Sequence, residues 1–125
     1  MVGNLLQLAG LPGDRELFEE LLATPSARIE RIVSTGQASP SGSWYDQPWH
    51  EWLLVLQGSA GVLFEHEAAP RDLVAGDHLF IPARRRHRVA WTDAHAATIW
   101  LAVHLPPRGD DPTAWPGTLR SDAER

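Results

Sequence analysis

Residues 76–91, GDHLFIPARRRHRVAW, carry two strand-like runs joined by a marked break. A strand follows the tight Gly76-Asp77 turn, stops at Pro82, loops through Arg84, Arg85 and Arg86, and resumes at His87. Successive side chains of a strand alternate between faces, so His87, Val89 and Trp91 share one face. Val89 and Trp91 have core character, and His87 is therefore expected to point inward. Upstream, WYDQPWHEWLLVLQG (44–58) places Glu51, Leu53 and Val55 on one face and Trp52, Leu54 and Leu56 on the other. Both faces are apolar, which describes a largely buried strand with a carboxylate entering the core. Such a carboxylate requires a cation, a metal, an arginine or a proton to offset its desolvation. Asp46 is expected to reach the same mouth from the incoming loop.

Outward from these two stretches the pattern repeats. Short apolar runs lie at 28–34, 52–57, 61–66, 72–74, 78–82, 87–92 and 97–105, separated by turn signals about every ten residues. Hairpin-linked short strands bury one face only by folding onto a second sheet, so the expectation is an all-β, antiparallel double-sheet β-barrel. Ahead of it, Asp14 stands as an N-cap before RELFEELLA, whose Leu17, Phe18, Leu21 and Leu22 share a helical face. That spacing predicts one short helix from Arg15 to Ala23, ending at Pro25. The chain divides accordingly into an N-terminal extension (1–27), a barrel (28–105) and a Pro/Gly-rich tail (106–125) in which Trp115 is the one anchor candidate.

Composition narrows the chemistry. The 125 residues supply one domain's core. All 11 basic residues are arginine and there is no cysteine, which removes Schiff-base lysine, thiol and thiolate-metal chemistry. A formal net charge of −5 argues against nucleic acid or an anionic membrane as partner. No apolar run approaches the roughly 20 residues of a membrane span, and no basic cluster precedes the first leucines, so a cytoplasmic location is expected.

With these residues in place the chain resembles the cupin superfamily, a family of jelly-roll barrels. The family's motif G-x5-P-x-G-x2-H is matched by Gly76, Pro82 and His87, with Arg84 at the second glycine and Trp91 where the motif closes in Asn. Its other motif ends in a glutamate seven residues before a turn glycine, as Glu51 precedes Gly58, and the two histidines of H-x-H fall on Trp44 and Asp46. The resemblance implies a metal shell of three histidines and one glutamate, of which His87 and Glu51 are kept and Asp46 supplies an oxygen donor. An Asp46, Glu51, His87 set suits manganese, iron or magnesium better than zinc.

The last strand adds His104, which shares a face with Trp100 and Ala102 and becomes a second interior imidazole if that face looks inward. Catalytic candidates are therefore Glu51, His104 and Tyr45, and the pocket candidates are Trp44, Arg84, Trp91 and Trp100. The arginines of RRRHR (84–88) are read as salt-bridge partners or as a clamp for a carboxylate or phosphate. Two functions stay open: a metal-dependent dioxygenase, isomerase or lyase acting on a small organic acid, and a non-catalytic module that binds a small molecule.

The strand RIERIVS (28–34) has no evident hairpin mate, and an open edge of this kind is covered by pairing with a second subunit. A homodimer is the expected state. Sedimentation at micromolar concentration should give twice the 13.8 kDa chain mass, and a species of monomer mass would refute it.

Overall fold

A computed structural model of the chain describes residues 2–11 and 13–107. Eight strands run in order: β1 (Leu17–Thr24), β2 (Ala27–Ser34), β3 (His50–Gln57), β4 (Ser59–Phe64), β5 (Arg71–Val74), β6 (His78–Ile81), β7 (His87–Thr92) and β8 (Thr98–Leu105). They form a five-stranded sheet, β1-β2-β8-β3-β6, and a three-stranded sheet, β5-β4-β7, and every pairing is antiparallel. The all-β double-sheet expectation stands, and the six apolar runs from Trp52 onward coincide closely with β3 to β8.

The helix expected over Arg15 to Ala23 is absent; no described residue is helical, and the segment is β1. Leu17, Phe18, Leu21 and Leu22 fit a helical stripe, yet the same residues fit a strand once a bulge falls between Glu20 and Leu22. Pairing with β2 decides the matter. Thr24 Oγ1 accepts the Ala27 N–H at 3.0 Å and closes the Thr24–Ala27 turn, and Arg31 Nε–H donates to Glu19 Oε1 across the hairpin at 2.6 Å. Local preference yields here to long-range pairing. β1 is also the mate that RIERIVS lacked, so the β2 edge is covered within the chain and no longer calls for a second subunit. The tail beyond residue 107, with Trp115, lies outside the described residues.

The chain crosses between the sheets four times, at Gly58, at 75–77, at 82–86 and at 93–97. Asp77 Oδ2 accepts the Val74 N–H at 2.9 Å and tightens the second crossing. At the fourth, Asp93 Oδ1 accepts the N–H groups of His95 and Ala96, which holds its carboxyl below the ordinary value. Between the sheets Ile32, Leu53, Val55, Val62, Phe64 and Trp100 form the centre of one apolar core. Residues 37–45 run along the free edge of β7: Ser39 N–H donates to Val89 O at 2.9 Å, and Tyr45 and His87 exchange backbone bonds of 2.7 and 3.2 Å. This edge contact carries the connection between β2 and β3 across the barrel mouth.

Gly58 turns the chain from one sheet to the other at φ 87°, and a Cβ there would lie 2.7 Å from Thr98 Cα and 2.8 Å from Ala97 O. Both obstacles are backbone. Gly58→Ala should lower unfolding free energy by about 2–5 kcal/mol, combining left-handed strain with overlap. Urea denaturation checks this, and an unchanged midpoint would refute the reading.

Candidate functional site

One end of the barrel interior is polar because three ladders place ionisable residues in a single row. Arg28 of β2 pairs with His104 of β8, His104 pairs with Glu51 of β3, and Glu51 pairs with Ile81 of β6. Directly opposed residues of an antiparallel ladder project to the same face. The row therefore brings a guanidinium, an imidazole and a carboxylate to the inner face at one level.

The facing sheet contributes His87. Its Nε2 lies 4.0 Å from Glu51 Oε1, and both residues are buried, at 4% and 1% exposure. His87 Nδ1 is 2.9 Å from the Arg85 carbonyl, which can only accept, so the ring's proton sits on Nδ1 and its Nε2 is turned toward Glu51. Tyr45 stacks on the His87 ring with centroids 5.2 Å apart and planes 20° off parallel, and the Phe64 ring lies 6.2 Å away. These contacts fix the imidazole in one orientation.

His104 faces inward and is fully buried. Its two ring nitrogens are both engaged: Trp49 Nε1–H donates to Nδ1 at 2.7 Å, and Nε2 lies 3.0 Å from Glu30 Oε1. Glu30, Gln47 and Trp49 are buried at this end and are absent from the sequence-derived set. Their signal was available as alternation. Tyr45, Gln47, Trp49 and Glu51 recur at period two and are all buried, whereas Asp46 is exposed.

That alternation displaces Asp46 from the barrel interior. Its Oδ1 is 3.3 Å from Arg84 Nη1 at the surface, with side-chain exposures of 45% and 67%. The positions ahead of Glu51 that look inward are Tyr45 and Gln47, one residue away from Trp44 and Asp46. Trp44 is half-buried beneath Arg86 and Arg88, whose guanidinium carbons lie 5.7 and 6.0 Å from its ring centre.

Trp91 likewise leaves the interior. The register shift between Gly61 and Val62 gives β7 an extra residue, so Thr92 is buried and Trp91 lies outside against Gly61, its Nε1–H bonded to Asp72 Oδ1 at 3.2 Å. Trp100 belongs to the core and donates to Ser34 Oγ at 3.0 Å. It lies four residues along β8 from His104, about 13 Å away. Arg84 is at the rim; Arg85, Arg86 and Arg88 are tied to Glu65 and to the Ser39 carbonyl.

The metal set expected from Asp46, Glu51 and His87 does not assemble. Among the described residues no group of three His, Cys, Asp or Glu side chains is placed to hold a metal ion. Asp46 is turned to Arg84, and both nitrogens of His104 are committed, so Glu51 and His87 gain no third donor of these types. The residues present do not fit the family's metal shell.

Comparison with known proteins agrees with this barrel. A solved structure from Ralstonia eutropha JMP134, described as a putative mannose-6-phosphate isomerase, is 50% identical over 84% of this chain and 97% of that one, with a TM-score of 0.80. A cupin superfamily protein from Desulfitobacterium hafniense DCB-2 aligns at 22% identity and TM-score 0.63, covering 77% of this chain and 82% of that one. An RmlC-like cupin with a double-stranded β-helix fold from Methanocaldococcus jannaschii covers 89% of this chain and 96% of that one, at 17% identity and TM-score 0.62. The chain belongs to the cupin superfamily. No family model and no curated protein matches this cupin, in keeping with motifs that keep Glu51 and His87 but lose both histidines of H-x-H.

Within this cupin the buried and the exposed carboxylates should respond differently to truncation. Glu30→Ala removes the acceptor of a sealed N–H and should cost about 1–3 kcal/mol. Asp46→Ala breaks an exposed pair and should change stability by less than about 1 kcal/mol. Thermal melts of the two variants check the assignment, and equal effects would contradict it.

Proposed function

We propose that this cupin binds a small anionic hydroxy-carbonyl compound, of the sugar-phosphate type, at the polar end of its barrel and moves a proton between neighbouring carbons. The observation that carries the reading is the facing of Glu51 Oε1 and His87 Nε2 at 4.0 Å. This is too long for a direct hydrogen bond and wide enough for both to contact one reacting group. Burying two ionisable groups is costly, and sites that do so are where acid–base chemistry concentrates.

In this scheme the Glu51 carboxylate takes the proton from the carbon beside the carbonyl. His87, as an imidazolium that carries a second proton on Nε2 beside the one Nδ1 gives to the Arg85 carbonyl, passes the Nε2 proton to the carbonyl oxygen, forming a neutral enediol. Glu51 returns its proton to the adjacent carbon and His87 recovers one from the neighbouring hydroxyl, which completes an isomerisation without a redox partner. Arg28, at the level of His104 in the same row, supplies positive charge for the anionic end of the substrate. Support for this reaction type comes from the assignment carried by the 50%-identical protein. The scheme needs no metal, in keeping with a donor set that stops at Glu51 and His87.

A binding-only reading is favoured by one observation: among the described residues no third His, Cys, Asp or Glu side chain joins Glu51 and His87. Proton NMR of mannose 6-phosphate in deuterium oxide separates the two. The isomerase reading expects deuterium at C2 with chelator-treated protein, and a drop of about 10²–10⁴ in Glu51→Gln and His87→Gln. Exchange that requires added metal, or survives both substitutions, would sink it. Saturable binding without exchange would establish the binding module instead.

A further inference from the structure

Three side chains near the Glu51–His87 pair are linked in a chain. Trp49 Nε1–H donates to His104 Nδ1 at 2.7 Å, and His104 Nε2 meets Glu30 Oε1 at 3.0 Å. An indole N–H is a donor only, so Nδ1 must present its lone pair. The neutral imidazole then carries its proton on Nε2 and donates it to the Glu30 carboxylate. Exposures of 4% for Trp49, 0% for His104 and 4% for Glu30 withdraw all three side chains from bulk solvent.

We infer that His104 is a positioning residue for Glu51: the Trp49–His104–Glu30 chain anchors the segment that carries Tyr45 and Glu51 to the centre of the five-stranded sheet. Trp49 lies two residues before Glu51 and is buried with it, and the Cα of Glu51 is paired with that of His104. The imidazole therefore grips the incoming chain just where it changes from connection to strand. Trp49 also meets the His104 ring edge-on, with centroids 5.8 Å apart at 79°. A site that must hold its reacting groups to within about 0.5 Å needs such a brace when part of it arrives on a long connection.

The same geometry makes the brace sensitive to protonation. A proton on Nδ1 would set two donors against each other in a sealed space, so charging His104 must release Trp49. The charged and titratable groups around the imidazole are Arg28 and Glu30 of β2, Glu51 of β3 and His87 of β7 across the barrel; β6 brings only Ile81 to this level.

The role in turnover rests on the proposed isomerase reading, whereas the tautomer can be tested without it. Long-range ¹H–¹⁵N spectra of the histidine rings in the full chain should show His104 protonated on Nε2 alone at neutral pH. A ring protonated on Nδ1, or on both nitrogens, would overturn the inference. In Trp49→Phe the Glu30 carboxylate still requires the Nε2 proton, so the tautomer should hold, whereas kcat for deuterium exchange should fall about tenfold at constant KM and the acid limb of the kcat–pH profile should move.

A folded Trp49→Phe protein with unchanged kcat would also overturn it. Should that variant not fold, Glu30→Gln decides. With Trp49 in place the new amide must turn its oxygen to Nε2–H, so tautomer and kcat should hold within twofold, and a switched tautomer refutes the brace. If the natural protein exchanges no sugar phosphate, the isomerase reading fails by itself. The side-chain carboxyl ¹³C shift of Glu51 then decides: movement in Trp49→Phe supports positioning, and an unmoved shift refutes it.

Discussion

The double register of β8 is the constraint on which this barrel's polar end depends. Flanked by β2 on one side and β3 on the other, β8 pairs His104 with Arg28 and with Glu51 simultaneously. A slip of one residue on either side would turn an entire set of inward side chains outward. Arg28, His104 and Glu51 would then part company, and Ile32, Trp100 and Leu53 would leave the core with them. Apolar packing of the core and assembly of the polar row thus select the same register.

A sealed polar row is tolerable only where each group finds a complement. Trp49 and Glu30 supply it for His104, and the Arg85 carbonyl does so for Nδ1 of His87. Toward the other end of the barrel the same principle acts through Trp100 and Ser34, whose hydroxyl accepts from the indole and donates to Glu16. Rim charges contrast with these. Arg84 and Asp46 meet at 3.3 Å with much of each side chain in water, where the pair contributes little to stability and can be rearranged cheaply.

Departures from simple alternation carry much of the functional geometry. A bulge in β7 moves Trp91 outside while keeping Val89 and His87 within. A second bulge lets a segment with helical amphipathicity pair as β1. The connection between β2 and β3 lies along the edge of β7, and its backbone exchange with His87 brings Tyr45 over the imidazole. Each departure is a backbone event enforced by a neighbouring strand.

Alternation and turn chemistry, both local, were enough to read β3 to β8, the Gly76-Asp77 turn and the inward facing of Glu51 and His87, whereas the face of His104 stayed open until β8 was set between β2 and β3. The same logic counted back from Glu51 in steps of two reaches Tyr45 and Gln47, although motif spacing pointed to Trp44 and Asp46. What the chain could not disclose by itself depends on contacts between segments distant in sequence. Glu30 becomes a site residue only because β2 lies beside β8, and Trp49 only because its indole meets an imidazole 55 residues away. LFEELLAT suits a helix as well as a strand until β2 offers a ladder, and the bulges have no local signature. Side-chain period is a property of a strand alone, but register, bulges and hydrogen-bond partners are properties of a pair, and the tertiary structure decides them.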